Sequence, residues 1–277
     1  MTSADAAYQG ARGAFSEDAA LALLGHDARL LPCPTLEDVF AAVAAGRARS
    51  AVVPIENTLA GAVPGCADLI GRHGVHIVAE RVQPIRHALI APPGVALTDV
   101  RRVLSHPVAL AQCEQFFRRH PDITAVPVFD TAGAVELVTS RREPDAAAIA
   151  GRRAADVYGG VVLADDIQDR ADNLTRFLHL EPGDAPVSWQ AGWKTTIVCV
   201  LRNEPGSLLR ALFPISSRGL NLTRIESRPP RETPFEDGLH FDIAGTTDTA
   251  ALDVALDVLR RECRSLRVLG HYPELEA

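Results

Sequence analysis

Four short segments of this chain gather hydroxyl, amide, carboxylate and guanidinium side chains at spacings that suit chemistry. The densest is Ile167-Gln168-Asp169 followed by Asn173-Leu174-Thr175-Arg176-Phe177. Thr175 offers a hydroxyl donor, and Arg176 beside it leads into an apolar run over 177–180. An Arg entering a buried strand needs a bound anion or an internal carboxylate, Asp169 for example, because an unpaired buried charge is costly. Val53-Pro54-Ile55-Glu56-Asn57-Thr58 sets three hydrogen-bonding side chains at the C-terminal edge of a buried strand, where open α/β sheets bind ligands. An Asx turn accounts for the same residues. In Ser105-His106-Pro107, Pro opens a helix and leaves Ser or His at its cap, a placement that is also purely structural elsewhere. In Tyr8-Gln9-Gly10-Ala11-Arg12-Gly13-Ala14-Phe15-Ser16-Glu17, two glycines lie between a strand and a helix. Such a turn aims backbone N–H groups at an anion, or is a plain βα turn.

The elements that must position these groups alternate. Short apolar runs at 6–9, 50–54, 75–80, 86–91, 103–105, 125–129, 146–150 and 161–164 read as strands. Helices fit 16–24 with Ser16 as N-cap, 36–45 capped by Thr35, 107–119, 131–141 and 152–158. Alternation of this kind implies α/β layers. A Pro/Gly/Asp stretch at 182–186 reads as a linker. Beyond it the order is βαββαβ, a ferredoxin-like unit of about 80 residues. Its first helix follows Gly206 and contains Pro214, which should kink or shorten it. Leu239, Phe241 and Ile243 alternate with His240 and Asp242, giving a strand with one wet face. Leu252, Ala255, Leu256, Leu259 and Cys263 share one helix face.

Composition excludes several functions. The chain has 277 residues, enough for two or three units, and a net charge of −7. No basic face argues for nucleic acid, and an anionic substrate must be held by local Arg and N–H groups against the mean field. Lys194 is the sole lysine, and no Schiff-base or phosphate-loop motif surrounds it. The five cysteines are scattered and odd in number, which reads as reduced and structural. The histidines lack metal-ligand spacing, so neither metal nor cofactor is expected. No apolar run approaches the ~20 residues of a membrane span, and no leader opens the chain, so a cytoplasmic protein is expected.

Taken in order, Gly13-Ala14-Phe15-Ser16-Glu17, Val53 to Thr58, Ser105-His106-Pro107, Ala109-Leu110-Ala111-Gln112-Cys113 and Asn173 to Phe177 resemble prephenate dehydratase. Gly206-Ser207-Leu208-Leu209 and Asn221 to Pro229 resemble the ACT domain of that family. The resemblance implies a two-lobed, periplasmic-binding-protein-like catalytic region over 1–182, with lobe one at about 1–82 and 164–182 and lobe two at about 83–163. A ferredoxin-like ACT regulatory domain would follow over 194–277. It implies conversion of prephenate to phenylpyruvate, carbon dioxide and water, in phenylalanine biosynthesis. Thr175 would be the reactive hydroxyl and Arg176 a carboxylate clamp, with Phe177, Glu56, Asn57 and Thr58 completing the catalytic group. Ser105, His106, Thr131, Gly13 and Ala14 would contact substrate. L-Phenylalanine would bind between paired ACT domains at Gly206, Ser207, Leu208, Asn221, Leu222, Glu226, Ser227, Arg228 and Pro229. That arrangement requires a homodimer or homotetramer.

The chain departs from the family pattern at Ala14, where Thr is usual, and at Ala62, where Ser is usual. It departs again at Val108, where Gln is usual, and at Ser207, where Ala is usual. Thr58 keeps a hydroxyl where Ser is common. Two other readings share the scaffold. One is a prephenate decarboxylase, expected to lack the Thr of Thr-Arg-Phe and often the ACT domain. The other is a non-catalytic small-acid-binding module.

Overall fold

The computed structural model describes residues 3–185, 188–228 and 238–273, apart from the side chain of Arg228. In chain order the elements begin with β1 (Ala4–Gln9), α1 (Phe15–Leu24), β2 (Leu30–Cys33), α2 (Leu36–Ala44), β3 (Ala48–Asn57) and β4 (Gly61–Ala62). They continue with α3 (Cys66–Arg72), β5 (Val75–Pro84), β6 (Ala88–Ala91), β7 (Arg102–Ser105), α4 (Pro107–Ala111), α5 (Glu114–Arg119), β8 (Thr124–Pro127) and α6 (Thr131–Arg141). Next come β9 (Ala146–Ala150), α7 (Arg153–Tyr158), β10 (Val161–Ala164) and β11 (Leu174–Pro182). The last six are β12 (Trp193–Leu201), α8 (Ser207–Ser216), β13 (Leu222–Arg228), β14 (Gly238–Ile243), α9 (Thr249–Glu262) and β15 (Cys263–Pro273).

Contacts divide the chain into two compact units. One takes the chain up to Val63 together with Val82–Phe177. The other takes Pro64–Arg81 and everything from Leu178. The first unit has two lobes. In one, β1 lies parallel between β2 and β3, and the opening residues of β11 run beside β3. In the other, the strand order is β10-β6-β9-β7-β8, with β7 parallel to both β8 and β9. β9 is Ala146-Ala147-Ala148-Ile149-Ala150 and is fully buried, as a strand covered on both faces must be.

The second unit carries the βαββαβ order expected from sequence. β12 pairs antiparallel with β14 and β15, and β13 closes the β14 edge. β5 adds in parallel to β15, where Gly270 faces Ile77. A Cβ on Gly270 would meet the Ile77 carbonyl oxygen at 2.5 Å, so this join needs glycine. The sole lysine is structural: Lys194 Nζ lies 2.6 Å from Glu80 Oε1, and both side chains are buried. No helix among the described residues is long and apolar enough to cross a membrane.

Several local expectations are corrected. Ser16 is not the α1 cap. Ala14 holds that position, with extended backbone and no side-chain bond to the helix. The helix expected over 107–119 breaks at Gln112 and Cys113, because Asp169 interrupts it. Asp169 N–H donates to the Gln112 carbonyl at 2.7 Å, and its carboxylate accepts from the N–H groups of Glu114 and Gln115. The expected wet face of β14 is absent. His240 and Asp242 are buried, and Asp242 Oδ1 accepts from Thr196 Oγ1, itself bonded to Tyr272 Oη. Alternation marked polar against apolar, but a central strand can bury both. Pro214 lies inside α8, which ends two residues later.

Burial holds the imidazoles of His87, His179 and His271 below the usual histidine range. The unfolded chain therefore binds more protons than the native one as pH falls through the ordinary histidine pKa, so stability present above about pH 6.5 is lost on acidification. Denaturant titrations should give an unfolding free energy lower by on the order of 1 kcal/mol at pH 5.5 than at pH 7.5.

Candidate active site

Asn57 and Thr175 meet where the last residue of β3 lies beside the start of β11. Asn57 Oδ1 accepts from the backbone N–H groups of Leu59 and Ala60, both at 2.9 Å, so the Asx turn read from sequence is present. Those two bonds fix the amide. Nδ2 then shares its two N–H groups among three acceptors, Asn173 Oδ1 at 2.8 Å, the Leu174 carbonyl at 3.0 Å and Thr175 Oγ1 at 2.9 Å. Because Oγ1 is an acceptor here, the hydroxyl's own proton is left to donate. It has no acceptor among the described residues, and Thr175 is 8% exposed.

The network continues through amides. Asn173 Nδ2 donates to Gln112 Oε1 at 2.9 Å, and the same oxygen lies 2.9 Å from His87 Nε2. Gln112 Nε2, with two N–H donors, has no acceptor among the described residues. Gln112 lines a cavity of about 490 Å³ with Leu59, Val108, Gln168, Asp169 and Asn173. Gln112 and Asn173 lie within the Ala109–Cys113 and Asn173–Phe177 segments without a role legible from sequence, and His87 belongs to no motif. The helix break at Gln112 is a tertiary effect with no local signal.

The other residues expected in the catalytic group fall into different places. Arg176 lies within β11, and its Nε is 2.7 Å from Glu56 Oε1. Glu56 is thus an internal partner of Arg176, and Asp169 caps α5. Thr58 Oγ1 donates to the Asp172 carbonyl at 2.8 Å and accepts from Leu174 N–H at 2.9 Å, so it latches the loop to β11. Phe177 is corrected to a core residue, 2% exposed and packed with Ala6, Ala19, Ala20 and Val52.

Ala14, Phe15, Ser16, His106, Asp130 and Thr131 line a second cavity of about 210 Å³. These residues lie at the N-terminal ends of α1, α4 and α6; the first turns of α1 and α6 bring N–H groups there, whereas α4 opens on Pro107, which has none, and its Val108 N–H is taken by His106. Such ends carry partial positive charge and suit a carboxylate. His106 Nδ1 accepts from Val108 N–H at 3.2 Å. The imidazole proton is then on Nε2, which remains a donor. Asp130 joins the lobes: Oδ1 caps α6 through Gly133 N–H and Oδ2 accepts from Ala11 N–H. Ser105 does not reach this cavity. It is fully buried, and its Oγ donates to the Ile149 carbonyl at 2.6 Å.

The turn carrying Gly13 already holds an internal anion, since Gly13 N–H donates to Glu17 Oε2 at 2.6 Å. Arg153 Nη1 lies 2.5 Å from the same oxygen. Gly13 is a packing requirement, with φ of +81° and a virtual Cβ only 2.9 Å from Ala154 Cα. Ala14 leaves α1 without a side-chain cap. An Ala14→Ser variant should gain about 0.5–2 kcal/mol in unfolding free energy, read by denaturant titration, because a hydroxyl there can accept a first-turn N–H.

In the second unit, Gly206 is the left-handed N-cap of α8, and Ser207 Oγ accepts from Arg210 Nη2 at 3.0 Å. Leu208 is exposed. The Asn221 carbonyl accepts from Ala244 N–H, and Leu222 pairs with Ile243. Glu226 forms an ion pair with Arg224, Ser227 is exposed, and Arg228 ends β13. Pro229 lies outside the described residues. A cavity of about 320 Å³ is lined by Arg202, Asn203, Glu204 and Arg264, next to Gly206 in sequence.

The family model for prephenate dehydratase matches residues 6–185. Arogenate dehydratase/prephenate dehydratase 2, chloroplastic, of Arabidopsis thaliana is 42% identical over 276 residues, covering 96% of this chain and 72% of that protein. The structure of a prephenate dehydratase from Arthrobacter aurescens in complex with L-Phe is similar, with TM-score 0.88 and 34% identity, over 97% of this chain and 90% of that one. So is GqqA, described as a novel type of quorum quenching acylase, with TM-score 0.86 and 33% identity over 97% of both chains. With a family match over most of its length and a relative this close, the chain belongs to the prephenate dehydratase family.

Proposed function

We propose that the chain converts prephenate to phenylpyruvate, carbon dioxide and water, with Thr175 as the group that assists departure of the ring hydroxyl. The observation that carries this reading is the Asn57–Thr175 bond, which makes Thr175 Oγ1 an acceptor and aims its proton elsewhere. In prephenate the C–C bond to the ring carboxylate breaks and releases carbon dioxide. Its electron pair enters the ring, and the C–O bond breaks toward the leaving hydroxyl. One proton is consumed in making water. Thr175 has too high an ordinary alcohol pKa to act as a free acid, so its contribution is a positioned hydrogen bond that strengthens as charge develops on the leaving oxygen.

The substrate's two carboxylates need positive partners in an acidic protein. The N-termini at Ala14–Ser16 and Thr131 supply one such environment, with His106 Nε2–H among the donors and the Asp130 carboxylate in the same wall already held by two backbone N–H groups. Gln112 Nε2 supplies further donors. Arg176, the next residue along β11 and paired with Glu56, is proposed as a carboxylate clamp. Ser105 and Gly13 act by positioning.

The likeness to an acylase raises an amide-hydrolysing reading. That chemistry needs a base to activate a hydroxyl nucleophile. Here Thr175 Oγ1 meets an amide N–H donor, which favours the hydroxyl as donor.

The βαββαβ part of the second unit is proposed as an ACT regulatory domain binding L-phenylalanine near Asn203, Gly206 and Ser207, as part of a homo-oligomer. The free, buried cysteines fit a reducing compartment, and the cytoplasm is the proposed setting. Incubating the full chain with prephenate, with and without L-phenylalanine, tests both proposals. Alkaline absorbance of phenylpyruvate should appear and its rate should change with the effector. Prephenate binding by calorimetry without turnover would support a binding module instead.

A further inference from the structure

We propose that His87 is a positioning residue for Thr175, acting through Gln112, Asn173 and Asn57 as a chain of amides whose orientation is set from both ends. This rests on the prephenate dehydratase reading of the same site. His87 is 2% exposed at the start of the second lobe, and the edge of its ring meets Phe15 of the first at a centroid distance of 5.7 Å.

The orientation follows by elimination. The N–H groups of Leu59 and Ala60 force Asn57 Oδ1 toward the backbone, so Nδ2 must donate to Asn173 Oδ1. Asn173 Nδ2 must then donate to Gln112 Oε1. That oxygen can only accept, so the nitrogen of His87 that faces it must carry the proton. His87 is thus the neutral Nε2–H tautomer, and its Nδ1 is buried without a hydrogen-bond partner. An orphaned buried nitrogen is unfavourable. Its retention is explained if the Nε2–H donor sets the Gln112 amide, which in turn keeps Nε2 of Gln112 at the cavity wall.

The Ile167-Gln168-Asp169 motif serves this same arrangement. Ile167 N–H donates to the His87 carbonyl at 2.9 Å, and Gln168 Oε1 accepts from His87 N–H at 2.8 Å. Asp169 breaks the helix at Gln112 and so places that side chain. All three residues hold the His87–Gln112 end of the relay. If His87 is removed, Gln112 Oε1 keeps the Asn173 donor but loses the second one, so the side chain is held less firmly; Asn57 stays fixed by Leu59 and Ala60, and the effect reaches Thr175 as a displacement of Asn173, which shares the Asn57 amide with it. Catalysis is sensitive to such small displacements.

His87→Leu removes the donor at similar volume, whereas His87→Gln keeps an N–H near the position of Nε2. The expected result is a kcat at least about tenfold lower for His87→Leu with KM within about threefold, and recovery to within about threefold of wild type for His87→Gln. Full turnover by His87→Leu, or an equal loss in both variants, would overturn the proposal. If wild type itself leaves prephenate unchanged, the functional reading fails rather than the relay. A second measurement does not depend on activity: nitrogen NMR of histidine-labelled full chain at pH 7 should show one buried neutral Nε2–H imidazole that is lost in both variants. A neutral Nδ1–H form or a cation for that residue would contradict the orientation argument.

Discussion

A Thr175→Val enzyme should turn prephenate over about 10²–10⁴-fold more slowly than wild type, with KM changed by no more than about threefold. Valine has the shape of threonine, so the β11 strand is preserved. Asn57 Nδ2 loses one acceptor but keeps Asn173 Oδ1 and the Leu174 carbonyl. What disappears is a donor whose interaction grows only as the leaving oxygen becomes negative. Losing such an interaction lowers kcat without weakening ground-state binding. Steady-state kinetics, with circular dichroism to check the fold, would read this directly. Near-normal turnover would remove Thr175 from the reaction.

If Arg176 clamps a substrate carboxylate as proposed, Arg176→Met should lower kcat/KM by about 10²–10³-fold, since losing one partner of a buried charge pair costs about 2–5 kcal/mol. The ion pair with Glu56 complicates the single variant, because Glu56 loses a cation 2.7 Å away. The double variant Glu56→Gln/Arg176→Met separates the two effects. If Arg176 serves the substrate, the double variant stays as impaired as the single one. If Arg176 only neutralises Glu56, the double variant recovers most of the activity.

The sequence made the chemical groups legible before their contacts. Thr175, Arg176, Glu56 and Asn57 stood out because polar side chains ended apolar strands. That Asn57 bonds Thr175 across 118 residues was not legible, since periodicity describes single elements and not which strands become neighbours. Thr35 as a cap was legible because the capping box with Asp38 is local. Ser16 was misplaced because Ala14, a residue with no capping group, holds the capping position. The break between α4 and α5 was invisible because Asp169, far along the chain, imposes it. Phe177 belonged to a polar motif but packs in the core, as its residue type alone would suggest. His87, a single histidine in an apolar run, gave no signal at all.

The most direct test of the proposed function is product identification by proton and carbon-13 NMR for the wild-type chain incubated with prephenate. One phenylpyruvate and one carbon dioxide should form per prephenate consumed, with the ring fully aromatic. A product that retains the ring hydroxyl after loss of the carboxylate, or prephenate left unchanged, would contradict it.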